Sequence, residues 1–117
     1  SGRRTAHKIV AAVQATLSRH NTVIVSYPLR CTNWIFYKAT FARQGIAFHS
    51  VGLSADITSI ATRARRLSSH EITRSREMIA QGYGQRAFHA FNARTDQANF
   101  EQTSASLATE LVGVLRA

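Results

Sequence analysis

The sequence predicts an α/β domain of three layers, a mostly parallel sheet with helices on both faces. Three observations predict it. Short β-branched runs alternate with longer stretches whose apolar residues recur every three or four positions. The run TVIVSYP is apolar on both faces, as a buried parallel strand is. The chain has 117 residues, 44% of them hydrophobic, which is enough for one domain with one core.

The elements follow in order. Thr5 to His20 is predicted to be helical: Ile9, Val10, Val13 and Leu17 share a face, and Arg19 and His20 suit a last turn. Asn21 ends it, and Thr22 to Pro28 is the first predicted strand. A second helix follows Thr32, with Trp34, Ile35, Lys38, Phe41 and Ala42 as its stripe and Gly45 just past its end. Ile46 to Ser54 reads as the second strand. Ala55 to Leu67 reads as a third helix, with Ile57, Ile60 and Ala61 facing inward. Ser68 and Glu71 form a capping box for a fourth helix, which Gly82 or Gly84 ends. Ala87 to Thr95 is the third predicted strand. Asn99 with Gln102 caps a terminal helix whose inner stripe is Phe100, Thr103, Leu107, Leu111 and Val114. This order implies right-handed crossovers between parallel strands. No repeat or linker interrupts it, so residues 1–117 read as a single α/β domain with a lid-like helical segment at 63–83.

Composition narrows the partners. Net charge is +9, and 13 of the 15 basic residues are Arg. Arg makes planar, bidentate contacts with phosphate or carboxylate, so an anionic partner is expected. A genome biased toward arginine codons produces the same composition. No apolar run approaches the ~20 residues of a membrane span, and the opening SGRRTAHKIV lacks the apolar core of a signal peptide. Cys31 is the single cysteine, which excludes an internal disulfide and a Cys-based zinc site and fits a cytoplasmic setting. The five His residues show no metal-ligand spacing. His49 and His89, within predicted strands, read as structural.

The charge is concentrated in RARRLSSHEITRSREMIAQGY, where Arg63, Arg65, Arg66, Arg74 and Arg76 meet two carboxylates, Glu71 and Glu77. Arg63 and Arg66 share a helical face. Two short helices meeting at LSSH bring Arg63, Arg66 and Arg74 around one anion, as a phosphoryl group in transfer requires. The plainer reading is a solvated hairpin with surface Arg–Glu pairs worth ~0–1 kcal/mol each. Ser26 ends a predicted strand, where open α/β sheets place ligands, but outside the G-x-S-x-G setting of a nucleophile. Tyr27, Trp34, Phe36 and Tyr37 either wall a pocket there or fill the core. Arg94, Thr95 and Asp96 sit at the carboxyl end of the last strand, facing a ligand or forming a simple turn. A basic nucleic-acid-binding module is the rival reading. Its aromatic residues would have to come from Tyr27–Phe41, apart from the Arg run, and no known nucleic-acid-binding signature is present.

From Thr22 onward, order and spacing resemble the later part of small P-loop kinases, the group that phosphorylates shikimate, gluconate, nucleotides and antibiotics. The residues that carry the resemblance are TVIVSYPL, SVGL, the lid-like series Arg63, Arg66, Glu71 and Arg74, then Gly82–Tyr83, and Thr95–Asp96 before a capped terminal helix. It covers nearly all of the chain. The resemblance implies ATP and Mg²⁺ as cofactors, with a phosphorylated small molecule or nucleotide as partner. It implies that Arg63, Arg66 and Arg74 contact the phosphates and the transferred group, that Arg94 and Thr95 lie against adenine, and that Ser26, Tyr27 and Arg30 lie near the acceptor. The departure is that G-x-x-x-x-G-K-[ST] and its strand are absent. The implied function is therefore the ATP- or phosphate-ligand-binding portion of a phosphotransferase, inactive as this chain unless a phosphate loop is supplied upstream. The alternatives are a basic nucleic-acid-binding module and a non-catalytic oligomerisation domain that forms a homo-oligomer.

Overall fold

The computed structural model describes residues 2–62 and 67–116. The chain divides into two compact units, Ser1–Phe48 and His49–Ala117.

In the first unit, α1 (Gly2–Leu17) packs on α2 (Cys31–Arg43). The core is Ala6, Val10 and Val13 from α1 with Tyr37 and Phe41 from α2; Ile9, Leu17 and Phe48 close around it. The face read from the sequence of α1 is thus the packed one, and the helix starts at Gly2 rather than Thr5. The packed face of α2 keeps Phe41 of the predicted stripe but is centred on Tyr37 rather than Ile35. Tyr37 and Phe41, one turn apart, are buried and stack at 6.0 Å, and Phe48 packs on both rings at 6.2 and 5.8 Å. Ile35 falls outside that face and is 56% exposed. After Gln44 the backbone turns left-handed at Gly45 (φ 69°). The N–H groups of Gly45 and Ile46 donate to Ala42 and Phe41, closing the helix and returning Ile46 to the core.

Thr22 to Pro28 is not a strand; it has no regular structure. A β-branched run becomes a strand only by pairing, and among the described residues no strand pairs with it. Val23 packs on the core, but Ile24 is 77% exposed and Val25 48%. The run that reads as buried on both faces therefore exposes two of its apolar residues.

The second unit holds the sheet that exists. β1 (Val51–Ser54) pairs in parallel with β2 (Phe91–Arg94), in register from Val51 opposite Phe91 to Ser54 opposite Arg94. This corrects the predicted fold class. Among the described residues there are five helices and one two-stranded parallel sheet, not a three-layer domain built on a mostly parallel sheet. Both surviving strands are shorter than predicted, because each ends where its partner does. Ile46 to Ser50 and Ala87 to Ala90 lie outside the ladder.

The crossover from β1 to β2 contains α3 (Ile57–Ala61) and α4 (Ser69–Ala80), which pack on each other. The predicted capping box is present: the Glu71 N–H donates to Ser68 Oγ and the Ser68 N–H to Glu71 Oε1, each at 3.1 Å. α4 ends in a left-handed turn at Gly82 (φ 82°), with the Gly82 and Tyr83 N–H groups bonded to Ile79 and Met78. Gly84 (φ 80°) then lies directly over β1. A Cβ on Gly52 would overlap the Gly84 carbonyl oxygen, and a Cβ on Gly84 would overlap that of Leu53.

α5 (Phe100–Arg116) starts at the second predicted box, with the Gln102 N–H donating to Asn99 Oδ1 at 2.8 Å. Thr103, Leu107, Leu111 and Val114 are half-buried on one face as predicted. Phe100 is not part of that stripe: it sits in the first turn and is 87% exposed. Among the described residues no helix is long and apolar enough to cross a membrane.

Candidate functional site

The carboxyl ends of β1 and β2 are joined by one ionic cluster. The Arg94 guanidinium grips Asp96 with two bonds, Nε to Oδ1 at 3.1 Å and Nη2 to Oδ2 at 2.7 Å. Nη2 also lies 3.1 Å from Asp56 Oδ1, and the Asp56 N–H donates to Asp96 Oδ2 at 2.8 Å. Asp96 thus ties the loop after β2 to the loop after β1, and its side chain is only 3% exposed. Thr95 continues the link: its N–H donates to the Ser54 carbonyl at 2.8 Å. The bonds from Arg94, then the Asp56 N–H, hold the Asp96 carboxyl well below the usual carboxylate range.

A carboxylate depressed in the folded state stabilises fully above its unfolded pKa of ~3.9, and that contribution is lost as pH falls toward the folded value. Acid unfolding of the second unit is therefore expected to steepen below about pH 4, and Asp96→Asn to flatten that limb while lowering stability at neutral pH. Urea unfolding followed by circular dichroism across this range measures both. An unchanged acid limb in Asp96→Asn contradicts the role given to the cluster.

Electrostatically, this end of the sheet does not favour anions. Arg94 is matched by two carboxylates, so one positive and two negative charges meet there. A cleft of about 110 Å³ lies beside it, lined by Arg94, Gln97, Gln102, Thr103, Leu107 and Glu110 among others. Pockets that enclose drug-sized ligands run to ~300–1,000 Å³. A cleft of this volume holds a fragment of a few atoms.

The opposite end of the strand pair carries a second polar group. His89 Nδ1 is 2.9 Å from the hydroxyl of the buried Ser50, and the Ala90 N–H donates to the Ser50 carbonyl at 2.7 Å. Burial, then the charge of Arg86, pushes the His89 pKa down. His89 is therefore a neutral hydrogen-bonding residue that anchors the start of β2. Arg86 packs over the Tyr83 ring at 5.4 Å, and among the described residues its buried Nε has no hydrogen-bond acceptor. In the first unit the Tyr37 hydroxyl is likewise buried without a partner among the described residues. Its pKa is raised by burial, then by Tyr27.

Of the remaining sequence-derived site residues, Arg63 and Arg66 lie outside the described residues. Arg74 is on α4, half-exposed, with Nη1 3.4 Å from Glu77 Oε2. That is the surface pairing expected of a solvated helix face, worth ~0–1 kcal/mol. Arg76 is exposed and makes no ion pair among the described residues. Ser26 is exposed and Tyr27 half-buried in the irregular segment, and Arg30 is the N-cap residue of α2 without a side-chain capping bond. These three belong to the first unit, and Arg74, Arg94 and Thr95 to the second. Two residues escaped the sequence reading. Asp56 could have been noticed because, like Asp96, it lies two residues past a strand end. Arg86 carried no signal except its place after G-Y-G.

Among the described residues no group of three or more His, Cys, Asp or Glu could hold a metal ion. No family model, curated protein or solved structure matches the chain.

Proposed function

We propose that this chain is the phosphate-ligand-binding portion of a phosphotransferase of the P-loop kinase type, inactive by itself. One observation carries the reading. Two parallel, adjacent strands are joined by a crossover that contains the arginine-rich stretch, and the described arginines of that stretch have weak carboxylate partners or none. A 3.4 Å surface pair such as Arg74–Glu77 yields readily to a phosphate, because charge-assisted bonds to phosphate are stronger than an exposed ion pair. The net charge of +9 adds a general attraction for anions. The reading assigns no role to Arg94, which two carboxylates already occupy. Ser26, Tyr27 and Arg30 keep the acceptor side by resemblance alone. Phosphoryl transfer requires a backbone cradle that the sequence does not contain, so binding without turnover is expected. A cytoplasmic setting suits such a ligand.

Calorimetry with ATP·Mg at low salt tests the proposal. Saturable 1:1 binding is expected, with Arg63→Ala and Arg74→Ala each weakening it by about tenfold, the loss of ~1.4 kcal/mol from one charge-assisted contact. Affinity unchanged in both variants sinks the assignment.

A further inference from the structure

α5 carries more apolar surface than one packing face needs. No residue of it is buried, and Thr103, Leu107, Leu111 and Val114 make up its half-buried side. A second line of residues, Ala105, Ala108, Val112 and Leu115, recurs at steps of three, four and three and is exposed; Val112 is 44% exposed and Leu115 55%. At 3.6 residues per turn, the two lines centre about 120° apart around the helix. A neighbour on the first line leaves the second uncovered.

The second line has two asymmetries. Glu101 stands one turn before Ala105, and Arg116 directly follows Leu115, so its ends carry opposite charge. Neither makes an ion pair among the described residues. Its first half is small, Ala105 and Ala108, and its second half is large, Val112 and Leu115. Both asymmetries are self-complementary in one arrangement, an antiparallel copy of the same helix. With Ala105 of each copy opposite Leu115 of the other and Ala108 opposite Val112, Arg116 stands about 4.5 Å along the axis from the level of the other copy's Glu101, within reach of its long side chain. A parallel pair places Glu101 on Glu101 and large residue on large residue, which is repulsive and overpacked.

We propose that the chain forms a two-fold symmetric dimer through antiparallel contact of α5. The interface is isologous, with one patch serving both sides. It is small: a 17-residue helix is about 25 Å long, and a single helix pair falls below the ~1,200 Å² of standard interfaces, so the dimer is weak and concentration-dependent. The proposal is independent of phosphate binding.

Sedimentation equilibrium of the full chain, from low micromolar to millimolar concentration, tests it. A monomer–dimer equilibrium built on 12.9 kDa is expected. Leu115→Glu is expected to weaken it at least about tenfold by placing a carboxylate in the contact. Glu101→Arg and Arg116→Glu should each weaken it, and the double exchange should restore it, with circular dichroism verifying that every variant is folded. A monomer throughout the range overturns the proposal. So does a dimer indifferent to Leu115→Glu, or a double exchange no better than either single one.

Discussion

Gly84→Ala is expected to destabilise the second unit by about 3 kcal/mol, a large share of the stability of a small folded unit. Two costs combine. Gly84 has φ 80°, a conformation that costs an L-residue ~1–2 kcal/mol. Its new Cβ would also overlap the Leu53 carbonyl oxygen, a backbone atom of β1 that cannot move without displacing the strand. Gly52→Ala should act through the same contact from the other side, since its Cβ meets the Gly84 carbonyl. Gly45→Ala is the control. Gly45 has φ 69°, but nothing lies within 4 Å of its Cβ position, so only the conformational cost of ~1–2 kcal/mol remains. Urea unfolding by far-ultraviolet circular dichroism ranks the three. Gly84→Ala no worse than Gly45→Ala would contradict the close approach of the GYG turn to β1.

Phe41→Ala should remove about 3–5 kcal/mol from the first unit. Its core has only five buried residues, and Phe41 is 4% exposed against Tyr37 and Phe48. The single Trp34, half-buried beneath Lys38, reports the loss as a fluorescence change at lower denaturant than in the wild type. Two comparisons sharpen the result. Ile35→Ala, at a 56% exposed position, should cost no more than ~0.5 kcal/mol. Tyr37→Phe deletes a buried hydroxyl that has no partner among the described residues and should be neutral or stabilising. If Ile35→Ala costs as much as Phe41→Ala, Ile35 belongs to the packed face, contrary to its observed exposure.

What was legible in the sequence was local. The two capping boxes, Ser68 with Glu71 and Asn99 with Gln102, and the helix-ending Gly45 and Gly82 are short-range hydrogen-bond chemistry, and they stand where the residue types placed them. The packed face of α1 follows from a single clear stripe. The sheet was not legible, because a strand is a relation between distant segments. Thr22–Pro28 has the composition of a strand and lacks a partner, while Gly52, an unlikely strand residue, pairs because Asn92 is opposite it. The face of α2 was ambiguous between two apolar arcs, and Phe48, from beyond the helix, decides it. At the candidate site, Arg94 reads as anion-facing until Asp56, about forty residues earlier in the chain, arrives beside it. The fold that the kinase resemblance implied is thus not the fold observed. The crossover between the two parallel strands carries Arg74 and Arg76 among the described residues.

The phosphate-ligand proposal is tested most directly by competition between ATP·Mg and a single-stranded oligonucleotide, each titrated over a range of salt. Binding of ATP·Mg that persists at physiological salt, weakens in Arg74→Ala and is not displaced by the oligonucleotide is the predicted result. Oligonucleotide binding that falls steeply and linearly on a log–log salt plot, with no saturable binding of ATP·Mg, would contradict it and identify the arginines as a nucleic-acid surface.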